Sequence, residues 1–201
     1  MRLFRPFIAA RWLFPEALFR IKSPGKTACL TFDDGPHPES TPQLLGILDS
    51  ENVRAVFFCN GEAAEKYPEL IDEIRKRGHV VGNHGYYHLC GWKTSTERYC
   101  DNTGKASQFT SSTLFRPPYG RIRLDQYRRL NKQFRIFFWD IMSFDFDSSF
   151  GADLSLQVLK KKLRSGSIIV LHDTPDSTCR TFLQDFIKIA ISKGYRFCIS
   201  D

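Results

Sequence analysis

This sequence lacks the features that would mark a membrane-embedded or secreted protein. Its N-terminal apolar run, from Met1 to Ile21, has no uninterrupted stretch of signal-peptide or membrane-span length. Charged residues interrupt the run at Arg2, Arg5, Arg11, Glu16 and Arg20. Repeats, low-complexity tracts and linkers are also absent. We therefore expect one domain that is cytoplasmic or peripheral to a membrane rather than secreted.

Cysteine pairs of the metal-binding type are missing as well. The chain has 6 Cys but no CxxC pair, so a thiolate zinc site is not expected. Cys29, Cys59 and Cys198 lie in apolar runs, where cysteine usually behaves as a small buried hydrophobe. Cys90, Cys100 and Cys179 lie in more polar stretches, where a disulfide is compatible with the sequence but not required by it.

The composition that is present suits a single folded domain. With 201 residues, 42% of them hydrophobic, and 18 Phe, the chain can build a core without disulfides. The formal net charge is +7, and the basic residues are scattered apart from small clusters at Arg128-Arg129 and Lys160-Lys161-Lys162. We interpret these clusters as solvated helix faces and expect no nucleic-acid partner.

The N-terminal segment leaves two interpretations open. Its mixture of Phe, Leu, Trp and Arg suits an interfacial helix that contacts a membrane through residues 1–21. The same residues also suit a segment packed against the domain itself, and we favour this second interpretation. We predict that residues 1–25 form this segment and residues 26–201 the main domain. The oligomeric state is not indicated by the sequence.

Short β-rich runs alternate with helical patterns along the rest of the chain. The predicted strands are Thr27–Phe32, Arg54–Cys59, His79–Gly82, Leu114–Arg116, Arg135–Trp139, Ser167–Leu171 and Tyr195–Ile199. The predicted helices are Pro42–Ser50, Glu69–Arg77, Ser95–Gln108, Leu124–Lys132, Asp153–Arg164 and Thr181–Lys193. This alternation predicts an α/β fold with mostly parallel strands, either an open doubly wound sheet or a barrel.

Polar residues follow the ends of these strands, which favours a closed or nearly closed sheet. In a parallel barrel the strand ends converge on one rim, where active sites lie. The residues in question are Asp33, Asp34, Asn60, Asn83, His84, Arg116, Asp140, His172 and Asp173.

The pair Asp33-Asp34 is the most informative of these features. Adjacent carboxylates repel each other unless a cation or a shared proton offsets the repulsion. The segment His84-Gly85-Tyr86-Tyr87-His88 adds two imidazoles, which a helical turn would place on one side. One carboxylate with two neutral imidazoles leaves open positions on zinc for water and substrate, as in hydrolytic sites.

Two further segments offer the groups that metal-assisted hydrolysis needs. His172 ends a fully apolar strand and is therefore held rigidly at the rim, where it could serve as an acid. Arg116-Pro117-Pro118-Tyr119-Gly120 is a stiff turn, suited to placing a backbone N–H as an oxyanion donor and an Arg beside a carboxylate.

Together, TFDDG, HxxxH, RPPYG and the VLHD strand resemble the polysaccharide deacetylases, the NodB-homology domain of carbohydrate esterase family 4. The resemblance covers the chain from about Lys26 to the C-terminus, with the motifs in the family's order and spacing. It implies a distorted, incomplete (β/α) barrel of about seven parallel strands. It also implies a metal-dependent hydrolase that removes acetyl groups from N-acetylated amino sugars of peptidoglycan- or chitin-type glycans.

The resemblance also implies roles for individual residues. Asp33 matches the base, His172 the acid, and Asp34, His84 and His88 match the ligands of a divalent ion, zinc first and cobalt or nickel as alternatives. Arg116 would hold Asp33, Asp145 would orient His172, and the Tyr119 N–H would stabilise the oxyanion. The substrate would contact Tyr119, Leu171, Phe146 and Trp139, with Leu171 in the pocket for the acetyl methyl.

Three positions depart from the family's usual pattern. Gly85 stands where Ser or Thr is usual, Phe146 where Trp is common, and Met142 where a further Asp is common. Two alternative functions therefore stay open beside deacetylation of amino sugars. The first is hydrolysis of O-acetyl esters or small amides, and the second is carbohydrate binding by a domain that has lost catalysis.

Overall fold

The computed structural model describes residues 3–22 and 25–199. Residues 1–2, 23–24 and 200–201, which belong to the predicted segments 1–25 and 26–201, lie outside the described residues.

The fold is an α/β barrel that does not close on itself. Its strands are β1 (Thr27–Asp33), β2 (Val56–Cys59), β3 (Val80–Asn83), β4 (Leu114–Phe115), β5 (Arg135–Ile136), β6 (Ile141–Met142), β7 (Ser167–His172) and β8 (Arg196–Phe197). They form one 8-stranded sheet in the order β5-β4-β3-β2-β1-β7-β6, with β8 paired to the first residues of β1. All of these pairings are parallel. The predicted α/β fold with a distorted, incomplete barrel is confirmed.

The sequence prediction missed one strand of this sheet, β6. It extended β5 to Trp139, whereas β5 ends at Ile136 and β6 begins at Ile141. Two residues are too few to show the alternation of apolar and polar residues by which a strand is recognised. The pairing of Ile141 with Ile169 of β7 creates this strand, and that contact is tertiary.

Helices cover the outside of the sheet. They are α1 (Ile8–Leu13), α2 (Ser40–Ser50), α3 (Gly61–Lys66), α4 (Pro68–Lys76), α5 (Thr96–Thr110), α6 (Leu124–Leu130), α7 (Ala152–Lys162) and α8 (Cys179–Ser192). All six predicted helices are present with small differences at their ends, while α1 and α3 were not predicted. Each of these two spans six residues, too few for a clear helical period.

The N-terminal segment bridges the gap in the barrel between the edge strands β5 and β6. The carbonyl oxygen of Phe4 accepts a hydrogen bond from Met142 N of β6 at 2.9 Å. Leu18 N donates to Ile136 O of β5 at 2.8 Å, and Leu18 O accepts from Phe138 N at 2.8 Å. Within residues 3–22 and 25–199, no helix is long and apolar enough to cross a membrane.

Alternation along the strands divides the core into an outer and an inner layer. Ala28, Leu30 and Phe32 of β1 pack outward in a cluster that includes side chains of α2, α4 and α8. Cys29 packs into the barrel interior with residues of the neighbouring strands. Because successive side chains of a strand point to opposite faces, Asp33 shares the inner face with Cys29.

Candidate active site

The same alternation brings the predicted polar residues into the mouth of the barrel. Ile168 of β7 belongs to the inner cluster, and Val80 of β3 and Leu114 of β4 pack against it. His172, His84 and Arg116 each lie an even number of residues after one of these three. Their side chains therefore face inward with Asp33. A single cavity is lined by Asp33, Asp34, His84, His88, Arg116 and His172.

One of the four predicted substrate contacts is not brought to this cavity. Leu171 is fully buried in the outer cluster, between the sheet and the helices, and it does not line the cavity. Because Leu171 precedes the inward-facing His172 by one residue, its side chain must point to the other face of the sheet. The expected contact of this side chain with an acetyl methyl group is therefore corrected.

Asp140, expected at the rim, is also placed elsewhere. It lies beside the beginning of β7, where its carboxylate accepts from Ser167 Oγ at 2.7 Å and from Arg164 Nε at 3.0 Å. Burial opposes the charge of Asp140, but its bonds with Arg164 and Ser167 outweigh it and lower the pKa of this carboxyl. Asp140 thus anchors the strand start, at the opposite end of β7 from His172.

Asp34, His84 and His88 form a cluster that could hold a metal ion. One ligand atom from each residue lies within 4.8 Å of the others. Asp34 Oδ1 is 3.2 Å from His88 Nε2 and 3.6 Å from His84 Nε2. Two atoms bound to a tetrahedral zinc ion at 2.0–2.2 Å lie roughly 3.4 Å apart. The two distances from Asp34 Oδ1 therefore match the spacing of atoms bound to one metal ion.

The hydrogen bonds of these side chains fit a cation as well. His84 Nδ1 donates to the carbonyl oxygen of Arg116 at 2.8 Å, which leaves a lone pair on Nε2 facing Asp34. Burial, with the nearby charge of His88, lowers the pKa of His84 to about 3, so the ring is neutral at pH 7. Asp34 Oδ1 is buried without a hydrogen-bond partner. A divalent ion would satisfy the carboxylate oxygen and the imidazole lone pair together.

The loop that carries the two histidines is not the helical turn that would have aligned them. After β3 the backbone takes positive φ at Gly85 (78°) and His88 (51°), which bends the chain back so that both rings face Asp34. Asn83 Oδ1 accepts from Gly85 N at 2.7 Å, and Asn102 Oδ1 accepts from Tyr87 N at 2.9 Å.

Gly85 suits this loop for a second reason. A Cβ at position 85 would lie 2.9 Å from Asn102 Nδ2. The carboxamides of Asn83 and Asn102 therefore hold the loop around Gly85 by bonds to its backbone.

Asp33 is paired with a buried arginine on the other side of the cavity. Its Oδ1 accepts from Arg116 Nη1 at 2.7 Å, and its Oδ2 lies 3.9 Å from His84 Nε2. Arg116 Nη1 also donates to Thr31 Oγ1 at 2.6 Å, and Nη2 donates to Phe138 O at 3.1 Å. The guanidinium is thus fixed on several sides and holds Asp33 beside the metal cluster.

His172 and Asp145 form the third part of the site. His172 Nδ1 is 2.9 Å from Asp145 Oδ1, and His172 N donates to Asp145 Oδ2 at 2.8 Å. Ser143 Oγ and Ser177 Oγ donate to the same carboxylate at 2.5 and 2.6 Å. Burial disfavours the charge on His172, but the carboxylates of Asp145, Asp34 and Asp33 outweigh it and raise the pKa to about 9. The imidazolium form therefore predominates at neutral pH.

Aromatic side chains line the entrance to the cavity. Tyr119 has a positive φ of 59°, is largely exposed, and lies with its ring 4.4 Å from that of His88. Phe146 is half exposed and its ring is 4.7 Å from His172. Trp139 closes the floor, with a buried Nε1 that has no hydrogen-bond partner. These three of the four predicted substrate contacts are thus in the cavity lining.

Several residues of the site were not found from the sequence. They are Thr31, Asn102, Ser143, Ser177 and Trp92, together with residues of the segment 3–14 that line the cavity. Ser143 could have been identified from the sequence, because it lies two residues before Asp145 and its hydroxyl can donate to that carboxylate. The others reach the site only through packing. Cys90, Cys100 and Cys179 carry free thiols, although the sequence was compatible with a disulfide among them.

Comparisons with known proteins show which proteins this chain resembles. The family profile described as "Polysaccharide deacetylase" matches residues 20–136. A peptidoglycan-N-acetylglucosamine deacetylase of Bacillus cereus is 34% identical over 178 residues, which are 84% of this chain and 64% of the relative. The chain therefore spans less than two thirds of that relative's length.

A second relative and a solved structure agree with this match. A chitooligosaccharide deacetylase of Sinorhizobium fredii is 34% identical over 163 residues, covering 76% of this chain and 75% of the relative. The crystal structure of a peptidoglycan N-acetylglucosamine deacetylase with a naphthalenyl N-hydroxybenzamide superposes with a TM-score of 0.87 at 30% identity. That superposition covers 96% of this chain and 94% of the other.

Proposed function

The chain belongs to the polysaccharide deacetylase family, and we propose that it is a metal-dependent hydrolase that removes acetyl groups from N-acetylated amino sugars. The observation that supports this most directly is the content of one cavity. It holds a carboxylate fixed by an arginine, a cluster of one carboxylate and two imidazoles, and a histidine charged by a buried carboxylate. These groups are a base, a set of metal ligands and an acid.

A divalent ion fits Asp34, His84 and His88 because the buried Asp34 Oδ1 lacks a hydrogen-bond partner and His84 Nε2 offers a lone pair beside it. One carboxylate and two imidazoles suit zinc, with cobalt or nickel as alternatives. Bound there, such an ion supplies Lewis-acid polarisation of the acetyl carbonyl and a water of lowered pKa. Among the residues that the structure describes, these three side chains are the group that could hold the ion.

The chain's own residues carry the proton transfers. Asp33 accepts the proton of the attacking water, and its bond to Arg116 keeps the carboxylate oriented toward the cluster. The N–H of Tyr119, in the stiff turn after Pro117 and Pro118, donates to the developing oxyanion. His172 gives its proton to the departing amine nitrogen, and Asp145 holds the imidazole in the orientation and charge state that this step requires.

The relatives support the proposed substrate class. Those described above are named for peptidoglycan N-acetylglucosamine and for chitooligosaccharides. We extend N-acetylglucosamine-containing substrates to this chain, whose exposed Tyr119 and Phe146 offer apolar faces at the entrance for sugar rings. Acetate and a free amino sugar would be the products.

The test is a substrate panel for the zinc-loaded protein, with released acetate as the readout. The panel contains chito-oligomers, peptidoglycan fragments, acetylated xylan and small cyclic amides, and Asp33→Asn serves as the matched variant. We expect acetate from the N-acetylglucosamine compounds with wild-type protein and none above background with Asp33→Asn. Equal rates for the two proteins, or release only from acetylated xylan or the amides, would contradict the proposal.

A further inference from the structure

The catalytic cavity extends far beyond the polar groups that perform the chemistry. Its volume is about 1080 Å³, at or above the upper end of the usual range of roughly 300–1,000 Å³ for small-molecule sites. The polar groups of the site occupy one part of it. The remainder is a groove between the N-terminal segment and the loop and helix that follow the Tyr119 turn, and we call it the apolar groove.

The N-terminal wall of the apolar groove consists of apolar side chains. The lining residues of this wall include Pro6, Phe7, Ala10, Leu13 and Phe14. On the opposite side, Ile122 and Leu124 line the cavity together with Arg121 and Arg123. A glycan offers mainly hydroxyl groups, which lose hydrogen bonds to water when no polar partner replaces them. The N-terminal wall is therefore poorly matched to further sugar units.

The segment that forms this wall is fixed to the barrel by specific contacts. Phe4 is bonded to the backbone of β6 and its ring lies 5.2 Å from that of Phe144. Phe14 packs at 4.9 Å from the ring of Tyr127 and at 5.3 Å from that of Phe138. The wall thus belongs to the folded domain, with α1 held between these two anchors.

The same segment exposes large apolar side chains. Phe7 is 68% exposed, Leu13 52% and Trp12 81%. Phe7 and Leu13 line the groove, whereas Trp12 does not. Exposed apolar groups that continue directly into a cavity mark a place where an apolar ligand leaves solvent.

We propose that the substrate is an N-acetylated amino sugar linked to a lipid, whose chain lies in the apolar groove against α1. The sugar occupies the polar end, where Asp33 and His172 act on its acetamide. The lipid chain extends past Leu13 and Leu124. Continuity between the catalytic site and the groove is what assigns one amphiphilic molecule to both. This assignment rests on the proposed deacetylase function and specifies its substrate class.

Alkyl glycosides test the assignment with the intact protein. The methyl and octyl β-glycosides of N-acetylglucosamine, used as monomers in solution without detergent, carry the same acetamide. A fully buried methylene contributes roughly fourfold to binding. We therefore expect kcat/KM for acetate release to be at least about tenfold higher for the octyl compound than for the methyl compound.

Substitutions on the two sides of the groove test where the lipid chain lies. Leu13→Asn and Leu124→Asn, on the two sides, should each bring the ratio of octyl to methyl kcat/KM toward 1. Trp12→Ser is the matched control, because Trp12 is on the same helix and exposed but outside the groove, and it should leave the ratio unchanged. Thermal unfolding of each variant shows whether the fold is retained.

The outcomes separate this assignment from the proposed function. Equal kcat/KM for the methyl and octyl compounds overturns the lipid-linked substrate while deacetylation stands. Binding of the two compounds is followed in parallel by fluorescence of Trp92 and Trp139, which line the cavity. If the octyl compound binds more tightly in a Leu13-dependent way and no acetate is released from it or from chito-oligomers, the groove assignment stands and the deacetylase function fails.

Discussion

Arg116 orients His84 through its backbone and holds Asp33 through its side chain. Its carbonyl oxygen accepts the Nδ1 proton of His84 at 2.8 Å, while its guanidinium donates to Asp33 at 2.7 Å. Arg116, which directly follows β4, therefore sets both the direction of the His84 Nε2 lone pair and the position of the Asp33 carboxylate. The proposed base and the candidate metal cluster are coupled through this residue.

We predict that Arg116→Met destabilises the fold and that Asp33→Asn relieves much of the damage. Arg116 is 2% exposed, and its removal leaves the Asp33 carboxylate buried without its partner. Breaking a buried ion pair on one side typically costs about 3–5 kcal/mol. Urea unfolding of the two single variants and the double variant measures this, and the double variant should lose less than the sum of the singles. Additive losses would show that the pair is not coupled.

We predict that Asp145→Asn moves the alkaline limb of the pH–rate profile to lower pH. Burial alone lowers the pKa of His172, and the carboxylates of Asp145, Asp34 and Asp33 together raise it to about 9. Without the Asp145 carboxylate, the effect of burial is offset less, so the pKa of His172 should fall by at least about one unit. Profiles of kcat/KM from pH 6 to about 10 measure the limb. Ser177→Ala, which keeps the Asp145 carboxylate but removes one donor to it and the acceptor of Cys179 N, should shift the limb less. An unchanged limb would argue against His172 as the acid.

The pair of His172 and Asp145 also predicts how the free energy of unfolding depends on pH. Because the folded-state pKa of His172, about 9, lies above its ordinary value of 6.5, the charged imidazole stabilises the fold fully below pH 6.5. This contribution is lost as the pH rises through about 9. Unfolding free energies measured between pH 6 and about 10 should fall for the wild type and fall less for Asp145→Asn. Parallel curves would contradict the assignment.

We predict that Asn102→Ala weakens metal binding about 10- to 100-fold, the range found when groups that orient metal ligands are removed. Asn102 Oδ1 holds Tyr87 N within the loop between His84 and His88. Isothermal titration with zinc measures the affinity. Asp101→Ala, an exposed neighbour on the same helix, is the control and should bind as wild type does. Wild-type affinity in Asn102→Ala would mean that the loop is ordered without this bond.

We predict that zinc raises the unfolding temperature of the metal-free protein. At a free zinc concentration of about 100 times Kd, binding stabilises the folded state by roughly 2.7 kcal/mol. For a chain of this size that corresponds to a rise of about 5–10 °C. His88→Ala should abolish most of the shift, whereas His37→Ala, a histidine outside the cluster, should keep it. A shift retained in His88→Ala would place the ion elsewhere.

Much of the site was predictable because its residues sit at strand ends. Asp33, Asp34, Arg116 and His172 each follow an apolar run, and a parallel barrel brings such ends together wherever the sheet curves. The alternation of a strand also turns Leu171 away from the face that carries His172, yet the resemblance assigned Leu171 to the substrate pocket and His172 as the acid beside it. Applying the two-residue period to β7 would have placed Leu171 in the outer core.

By itself, the sequence determined the parallel α/β alternation and the candidate ligand and proton-transfer residues, because apolar periodicity and the chemistry of side chains are local properties. Tertiary structure alone decided the rest. It made β6 from two residues by pairing them with β7, shaped the His84–His88 loop with positive φ, and set Asp140 against Arg164. It also laid the N-terminal segment across the gap between β5 and β6. Such features depend on which distant segments meet, and no short stretch of sequence records that.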